Sequence, residues 1–102
     1  MQSDKLSIIR KALQAINYER CYLFGSQARG TAGSLSDYDL LIVVSTDMTM
    51  SEKFLLIEKV REGITPYLIP VDIIVKSTSE IEAQKQFAGS LVRNALKESV
   101  LL

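Results

Sequence analysis

Two stretches of the chain have apolar residues at helical spacing. Between 3 and 16 the apolar positions recur every three or four residues, which predicts an amphipathic helix with Ser3 or Asp4 as its N-cap. The same period returns between 49 and 64, and Pro66 is expected to end that second helix because the residue before a proline disfavours helical backbone. Both segments are therefore expected to flank a sheet as helices.

Three short apolar runs predict β-strands. Residues 20–24 form a run that Gly25 interrupts, residues 39–44 are apolar on both faces, and Pro70 opens a third run over 71–75. A strand that is apolar on both faces is typical of the middle of a sheet, so the second run is expected there. A short helix over 26–29 is expected to follow the first strand. The pattern predicts a small mixed sheet of three or four strands.

A last helix is predicted after the third strand. Ser79 and Glu82 have the spacing of a capping box at its N-terminus. The apolar side of this helix carries Phe87, Leu91, Ala95 and Leu96. The apolar tail over 100–102 is expected to pack on the domain's own core, and a partner surface is the alternative. The fold class is therefore α/β (α+β), with one domain over 1–102 and helices around the sheet.

Composition and charge narrow the classes of function. The chain has 102 residues, of which 47% are hydrophobic and 24% are charged, as in ordinary globular domains. Lys plus Arg number 12 and Asp plus Glu number 12, so the chain has no general electrostatic grip on nucleic acid or on a membrane surface. The first residues do not resemble a signal peptide, and no apolar run approaches the roughly 20 residues of a membrane span. A cytoplasmic protein is expected.

The chain has one cysteine and no histidine. A single cysteine cannot form an internal disulfide, and Cys21 lies in an apolar strand, where it is expected to be a small buried hydrophobe. Without histidine there is no His-based zinc site, no Ser–His couple and no imidazole base. Any catalysis must use carboxylates, hydroxyls, the backbone and the basic side chains.

Gly25 and Ser26 directly follow the first predicted strand. Glycine lets the backbone approach a ligand closely, and a serine hydroxyl beside the free N–H groups of a helix N-terminus can bind phosphate. The same two residues also occur in ordinary turns. On its own, this feature leaves both interpretations open.

Three aspartates lie at the starts of the predicted strands. Asp37 and Asp39 are two residues apart, so they point to the same side of the second strand, while Tyr38 points to the other side and is expected to pack. Two carboxylates on one side repel each other unless a cation lies between them or solvent surrounds both. Asp72 lies inside the third strand, where a lone charge is costly. Each aspartate alone also fits a solvated strand end, but together they favour a shared cation site.

These residues together resemble a known family. The chain carries LFGSQARG at 23–30 and SDYDLL at 36–41, and this specific motif resembles the minimal nucleotidyltransferases of the DNA polymerase β-like superfamily. The resemblance runs from the first strand through Asp72, which is about half of the chain. The flanking helices match only in order and length.

The resemblance implies a site for a nucleoside triphosphate and magnesium. Gly25 and Ser26 are implied to hold the β- and γ-phosphates, Asp37 and Asp39 to bind two Mg²⁺ ions, and Asp72 to complete one metal site beside the attacking hydroxyl. The residue chemistry agrees, because Mg²⁺ prefers oxygen ligands and two such ions stabilise the oxygens of an in-line displacement. With histidine absent, Asp72 is also the candidate that orients or deprotonates the acceptor.

Arg29 lies three residues after Ser26, on the same side of a helix. It is expected either to contact a phosphate or to pair with a nearby carboxylate. The family often has a basic residue where this chain has Gln27, which puts a second cationic contact in doubt.

The resemblance also implies partners. Minimal chains of this family are typically encoded beside a HEPN-domain toxin and act as antitoxins that transfer AMP from ATP to a tyrosine of that toxin. So small a catalytic layer is expected to leave the nucleotide half exposed, so that a partner or a second copy of the chain completes the site. The alternatives are neutralisation by binding alone, through the last helix and tail, and transfer to a small molecule such as an aminoglycoside. A template-directed polymerase is disfavoured by the neutral charge.

Overall fold

A computed structural model of the protein describes residues 2–25, 37–84 and 99–102. The chain divides into two compact units, one made of Met1–Asn17 and Met48–Ile69 and the other of Tyr18–Asp47 and Pro70–Leu102. In the described residues the first unit is helical and the second contains the sheet. Among the residues that the structure describes, no helix is both long enough and apolar enough to cross a membrane.

The first unit contains helix α1, Gln2–Leu13, helix α2, Met50–Glu62, and a short 3-10 helix, Thr65–Tyr67. Both α-helices lie where the apolar spacing predicted them. The predicted cap of α1 is wrong, because α1 begins at Gln2 and places Ser3 and Asp4 inside its first turn rather than before it. Helix α2 ends before Pro66, at a C-cap formed by Gly63.

Helices α1 and α2 meet through small residues at the end of α2. A Cβ atom built on Gly63 would lie 2.9 Å from the Cβ atom of Ala12 and 3.2 Å from its Cα atom. The backbone of Gly63 has an ordinary right-handed conformation, with φ −80°. Glycine is therefore required at this position for space and not for its conformational freedom.

We expect Gly63→Ala to lower the free energy of unfolding by about 1–3 kcal/mol, because the added methyl overpacks the contact with Ala12. Thermal or urea unfolding measures the loss. Ala12→Gly removes the atom that the new methyl meets, so the loss from Gly63→Ala should be smaller in that background than in the wild type. An undiminished stability of the single variant would contradict the close approach.

The second unit contains a four-stranded sheet in its described part. Its strands are β1, Arg20–Phe24; β2, Tyr38–Val44; β3, Val71–Ser77; and β4, Val100–Leu101. They lie in the order β3-β2-β1-β4, with β2 parallel to β3 and β1 antiparallel to both β2 and β4. This confirms the mixed sheet and the interior position of β2, whose apolar residues pack on both of its faces.

The sheet continues into helix α3, Thr78–Gln84, which packs on β2. Ile81 of α3 forms a buried cluster with Leu41 and Val43, and the neighbouring strands add partly buried apolar side chains to it. The predicted apolar face of this helix at Phe87, Leu91, Ala95 and Leu96 lies outside the described residues.

The predicted capping box of this helix is displaced by two residues. The amide of Ser77 donates to Oε1 of Glu80 at 2.9 Å, and the amide of Glu80 donates to Oγ of Ser77 at 3.2 Å. Ser79 instead donates its hydroxyl to Oδ1 of Asp47 at 2.6 Å. Ser79 and Glu82 are therefore not the capping pair, because the helix already begins at Thr78.

The apolar tail joins the sheet instead of entering the core. Val100 and Leu101 pair with Leu23 and Tyr22 of β1, and the amide of Leu102 donates to the carbonyl of Cys21 at 2.9 Å. The side chains of Val100 and Leu101 stay about half exposed, at 48% and 57%. Backbone hydrogen bonds, rather than burial of these two side chains, hold the tail, so the expected packing on the core is wrong for them.

Cys21 is fully buried in β1, as predicted for a small hydrophobe. Burial raises the pKa of its thiol to about 12. The thiol therefore stays protonated and unreactive at neutral pH.

Candidate active site

The sheet register places two of the three predicted aspartates side by side. Asp39 of β2 pairs with Asp72 of the parallel strand β3 and with Phe24 of the antiparallel strand β1. Directly paired residues project from the same face of a sheet, and neighbouring strands lie about 4.8 Å apart. Phe24, Asp39 and Asp72 therefore form one row across that face.

A hydrogen bond between the strand starts fixes this register. The amide of Tyr38 donates to the carbonyl of Pro70 at 2.9 Å, and the ladder begins with the pairing of Tyr38 and Val71. Parallel strands have their N-terminal ends at the same edge of the sheet, so the second residue of β2 meets the second residue of β3. These two residues are Asp39 and Asp72.

The three aspartates influence one another electrostatically. The pKa of Asp39 is raised above its ordinary value, first by partial burial, then by the charge of Asp72 and then by that of Asp37. Asp37 lies exposed immediately before β2. The structure thus brings all three predicted carboxylates into one electrostatic group, in which the charged form of Asp39 is less favourable than in an isolated aspartate.

Gly25 directly follows Phe24 at the end of β1. Its φ of +78° lies in the left-handed region, which glycine adopts without steric cost. A Cβ atom built at this position would overlap the carboxylate of Asp39. The turn after β1 therefore runs against the Asp39 carboxylate, and glycine is required there for both backbone conformation and space.

The remaining predicted residues divide into two groups. Ser26 and Arg29, together with the short helix predicted over 26–29, lie outside the described residues. Tyr38 is buried, with an exposed fraction of 2%, and burial raises the pKa of its phenol. Its predicted packing role is confirmed.

The donor chemistry of the row suits a hard cation that also binds a phosphate ligand. Among the described residues, no three Asp, Glu, His or Cys side chains are arranged to hold a metal ion by themselves. Asp39 and Asp72 offer a pair of carboxylates, and Gly25 lets the backbone of the turn lie directly against the carboxylate of Asp39. Mg²⁺ typically takes one or two carboxylates and completes its oxygen shell with water and phosphate.

The sequence as a whole matches a family with this chemistry. A family model for the nucleotidyltransferase domain covers residues 6–102. The chain therefore belongs to the nucleotidyltransferase domain family. No curated protein matches the chain significantly.

Solved structures share the fold. A structure described as a minimal nucleotidyltransferase superposes with a TM-score of 0.58 at 23% identity, covering 99% of this chain and 91% of that chain. A chain from a toxin–antitoxin crystal structure with AMP-PNP superposes with a TM-score of 0.58 at 18% identity, covering 99% and 72%. A chain from the toxin–antitoxin MntA-HpeT mutant gives 0.54 at 17% identity, covering 100% and 71%. The fold is that of the minimal nucleotidyltransferases, as the motif predicted.

Proposed function

We propose that the protein is a Mg²⁺-dependent nucleotidyltransferase and the antitoxin of a toxin–antitoxin pair, which transfers AMP from ATP to a tyrosine of a HEPN-domain toxin. The observation that carries the proposal is the row of Asp39 and Asp72 beside the Gly25 turn, in a chain of the nucleotidyltransferase family. The fold shared with chains from toxin–antitoxin structures, one of them with AMP-PNP, supports the choice of partner and nucleotide.

Each predicted site residue has a role in the proposed reaction. Together with the phosphates of ATP, Asp37, Asp39 and Asp72 would hold two Mg²⁺ ions, and the bound ions would supply positive charge to the attacking and leaving oxygens of the displacement. The pKa of Asp39 is raised first by partial burial and then by the charges of Asp72 and Asp37, and a bound cation would relieve that repulsion. Gly25 brings the backbone of the turn against the carboxylate of Asp39, and a phosphate is proposed to bind at this turn. Ser26 and Arg29 are the proposed phosphate contacts beyond it.

The proposed reaction is a displacement at the α-phosphorus of ATP. The phenol oxygen of the acceptor tyrosine bonds to that phosphorus. The bond between the α-phosphorus and the oxygen that bridges to the β-phosphate breaks, and pyrophosphate leaves. Asp72 is exposed, on the same face as Asp39, and is proposed to orient the phenol and accept its proton. No other described aspartate shares the row with Asp39.

Intact-mass spectrometry of the co-encoded toxin tests the proposal. After incubation with this chain, ATP and Mg²⁺, the toxin should gain mass in whole adenylyl units, and Asp37→Asn should abolish the gain. Glu58→Gln is the matched control, because it removes one exposed carboxylate of α2 that is not part of the row, and it should leave the gain unchanged. A toxin of unchanged mass would contradict AMP transfer to protein.

Neutralisation by contact alone is the second candidate. The half-exposed side chains of Val100 and Leu101 at the sheet edge favour it, because they offer apolar surface to a partner. An Asp37→Asn chain that still suppresses the toxin at equal concentration would establish this alternative. Loss of suppression together with loss of AMP transfer would exclude it.

A further inference from the structure

A groove in the first unit lies outside the proposed active site. It has a volume of about 480 Å³ and runs along α1 and the C-terminal end of α2. Ile8, Ala12 and Pro66 give it an apolar lining. This volume is enough to admit one large apolar side chain together with its neighbours.

Positively charged side chains outnumber negatively charged ones in the lining of the groove. Lys11 of α1 and Lys59 of α2 both line it, and Glu62 is the one acidic residue in its described lining. An apolar groove with an excess of positive charge is complementary to an apolar group accompanied by carboxylates.

An exposed apolar pair continues the groove. Tyr67 lines it and is 59% exposed, and the next residue, Leu68, is 88% exposed. Leu68 also has a φ of +56°, a conformation that branched L-residues rarely adopt, and its amide donates to the carbonyl of Thr65 at 3.0 Å. Neither burial nor backbone preference explains a leucine here, and strained, exposed positions of this kind occur at functional surfaces.

We infer that this groove and the Tyr67–Leu68 pair dock the protein partner of the chain, through a segment that places an apolar side chain in the groove and carboxylates beside Lys11 and Lys59. The identification of that partner as the toxin rests on the proposed function. A protein segment fits better than a small molecule, because Tyr67 and Leu68 extend the apolar surface beyond the groove. Exposed tyrosines are also enriched among the residues that carry binding energy at protein interfaces.

Another apolar surface of the same unit serves as a control. Met50, Phe54 and Leu55 of α2 are 79%, 61% and 65% exposed. No charged side chain lines the shallow depression between them in the described part of the chain. This surface therefore lacks the charge that points to an acidic partner segment.

Leu68→Asn separates a docking role from a structural one. Asparagine tolerates the left-handed backbone, so the melting temperature of the free chain should stay the same or rise. Loss of the apolar side chain should weaken the complex with the co-encoded toxin at least about 10-fold in titration calorimetry, as expected if the partner buries this side chain. Phe54→Asn, on the control surface, should leave the affinity unchanged.

Lys11→Glu combined with Lys59→Glu tests the charge complementarity. Wild-type affinity should fall with added salt, and the double variant should bind at least about 10-fold more weakly with a smaller salt dependence. Arg10→Glu is the matched control on the same helix, because Arg10 is exposed and does not line the groove. It should bind as the wild type does.

Kinetics of AMP transfer distinguish this inference from the proposed function. The groove variants should raise KM for the toxin and leave kcat unchanged, since they do not touch the carboxylate row. Groove variants that bind and react like the wild type would overturn the docking inference and leave the proposed function standing. A wild-type chain that neither binds nor modifies the toxin would overturn both. If the variants instead dissociate a dimer of this chain, the groove is a homodimer interface and the inference is wrong.

Discussion

Asp39→Asn is expected to reduce nucleotidyl transfer at least about 100-fold while the fold survives. The side chain lies in the row between Phe24 and Asp72, and an amide oxygen carries no negative charge to balance that of a bound cation. The substitution keeps the size and shape of the side chain, so the packing around β2 should not change. Rates of pyrophosphate release with ATP, Mg²⁺ and the toxin measure the loss, and circular dichroism checks the fold.

The same variant should be more stable than the wild type in metal-free buffer at neutral pH. The pKa of Asp39 is raised on folding from its ordinary value of 3.8, so the folded state holds this proton more tightly than the unfolded state. Below the ordinary pKa, Asp39 is protonated, and the wild type bears neither the cost of burying its charge nor the repulsion by Asp72 and Asp37. The wild type then loses stability as pH rises through the raised, folded-state pKa. The amide that replaces the carboxylate carries no such charge at any pH. The variant should therefore be no more stable than the wild type below the ordinary pKa of Asp39, where the wild-type side chain is protonated.

Unfolding of both proteins in urea across this pH range measures the difference. Glu58→Gln should show no comparable gain, because Glu58 is exposed on α2 outside the carboxylate row. An Asp39→Asn chain that keeps more than about a tenth of wild-type transfer would remove Asp39 from the proposed metal site. A variant that is no more stable than the wild type at neutral pH would contradict the repulsion.

The local pattern of apolar residues was sufficient to predict much of the sheet. The run at 20–24 matched β1 because Gly25 ends it with a backbone that other residues avoid, and the doubly apolar run at 39–44 lies inside β2. The two-residue spacing of Asp37 and Asp39 predicted that they act together, and the charge of Asp37 does contribute to the raised pKa of Asp39. Such features depend on neighbours in the sequence, so the sequence alone reveals them.

The features of the sheet that the local pattern did not specify depend on pairing between strands that are distant in the sequence. Strand β3 runs past its apolar stretch to Ser77 because Lys76 and Ser77 pair with the last residues of β2, which displaces the predicted cap at Ser79. The sequence grouped Asp72 with Asp39, but it did not specify their direct pairing, which accompanies the hydrogen bond between Tyr38 and Pro70, two residues far apart in the chain. The position of Phe24 beside Asp39 follows from the antiparallel register, which no local signal specifies.

Gly25→Ala is the second variant with a large expected effect. Its backbone has a φ of +78°, which costs an L-residue about 1–2 kcal/mol, and its new Cβ atom would overlap the carboxylate of Asp39. The carboxylate or the turn must move, so the free energy of unfolding should fall by more than the backbone cost alone. Nucleotidyl transfer should fall at least about 100-fold, because the carboxylate of Asp39 or the turn beside it is displaced from its position.

A double-mutant cycle on stability separates the two causes. Asp39→Ala removes the atoms that the new methyl meets, so Gly25→Ala in that background should cost only the backbone conformation. The difference between the two backgrounds then measures the overlap between the turn and the carboxylate. An equal cost in both backgrounds would show that the turn after β1 does not press on Asp39. The proposed phosphate site would then lose the close approach on which it depends, even if the chain still transferred AMP.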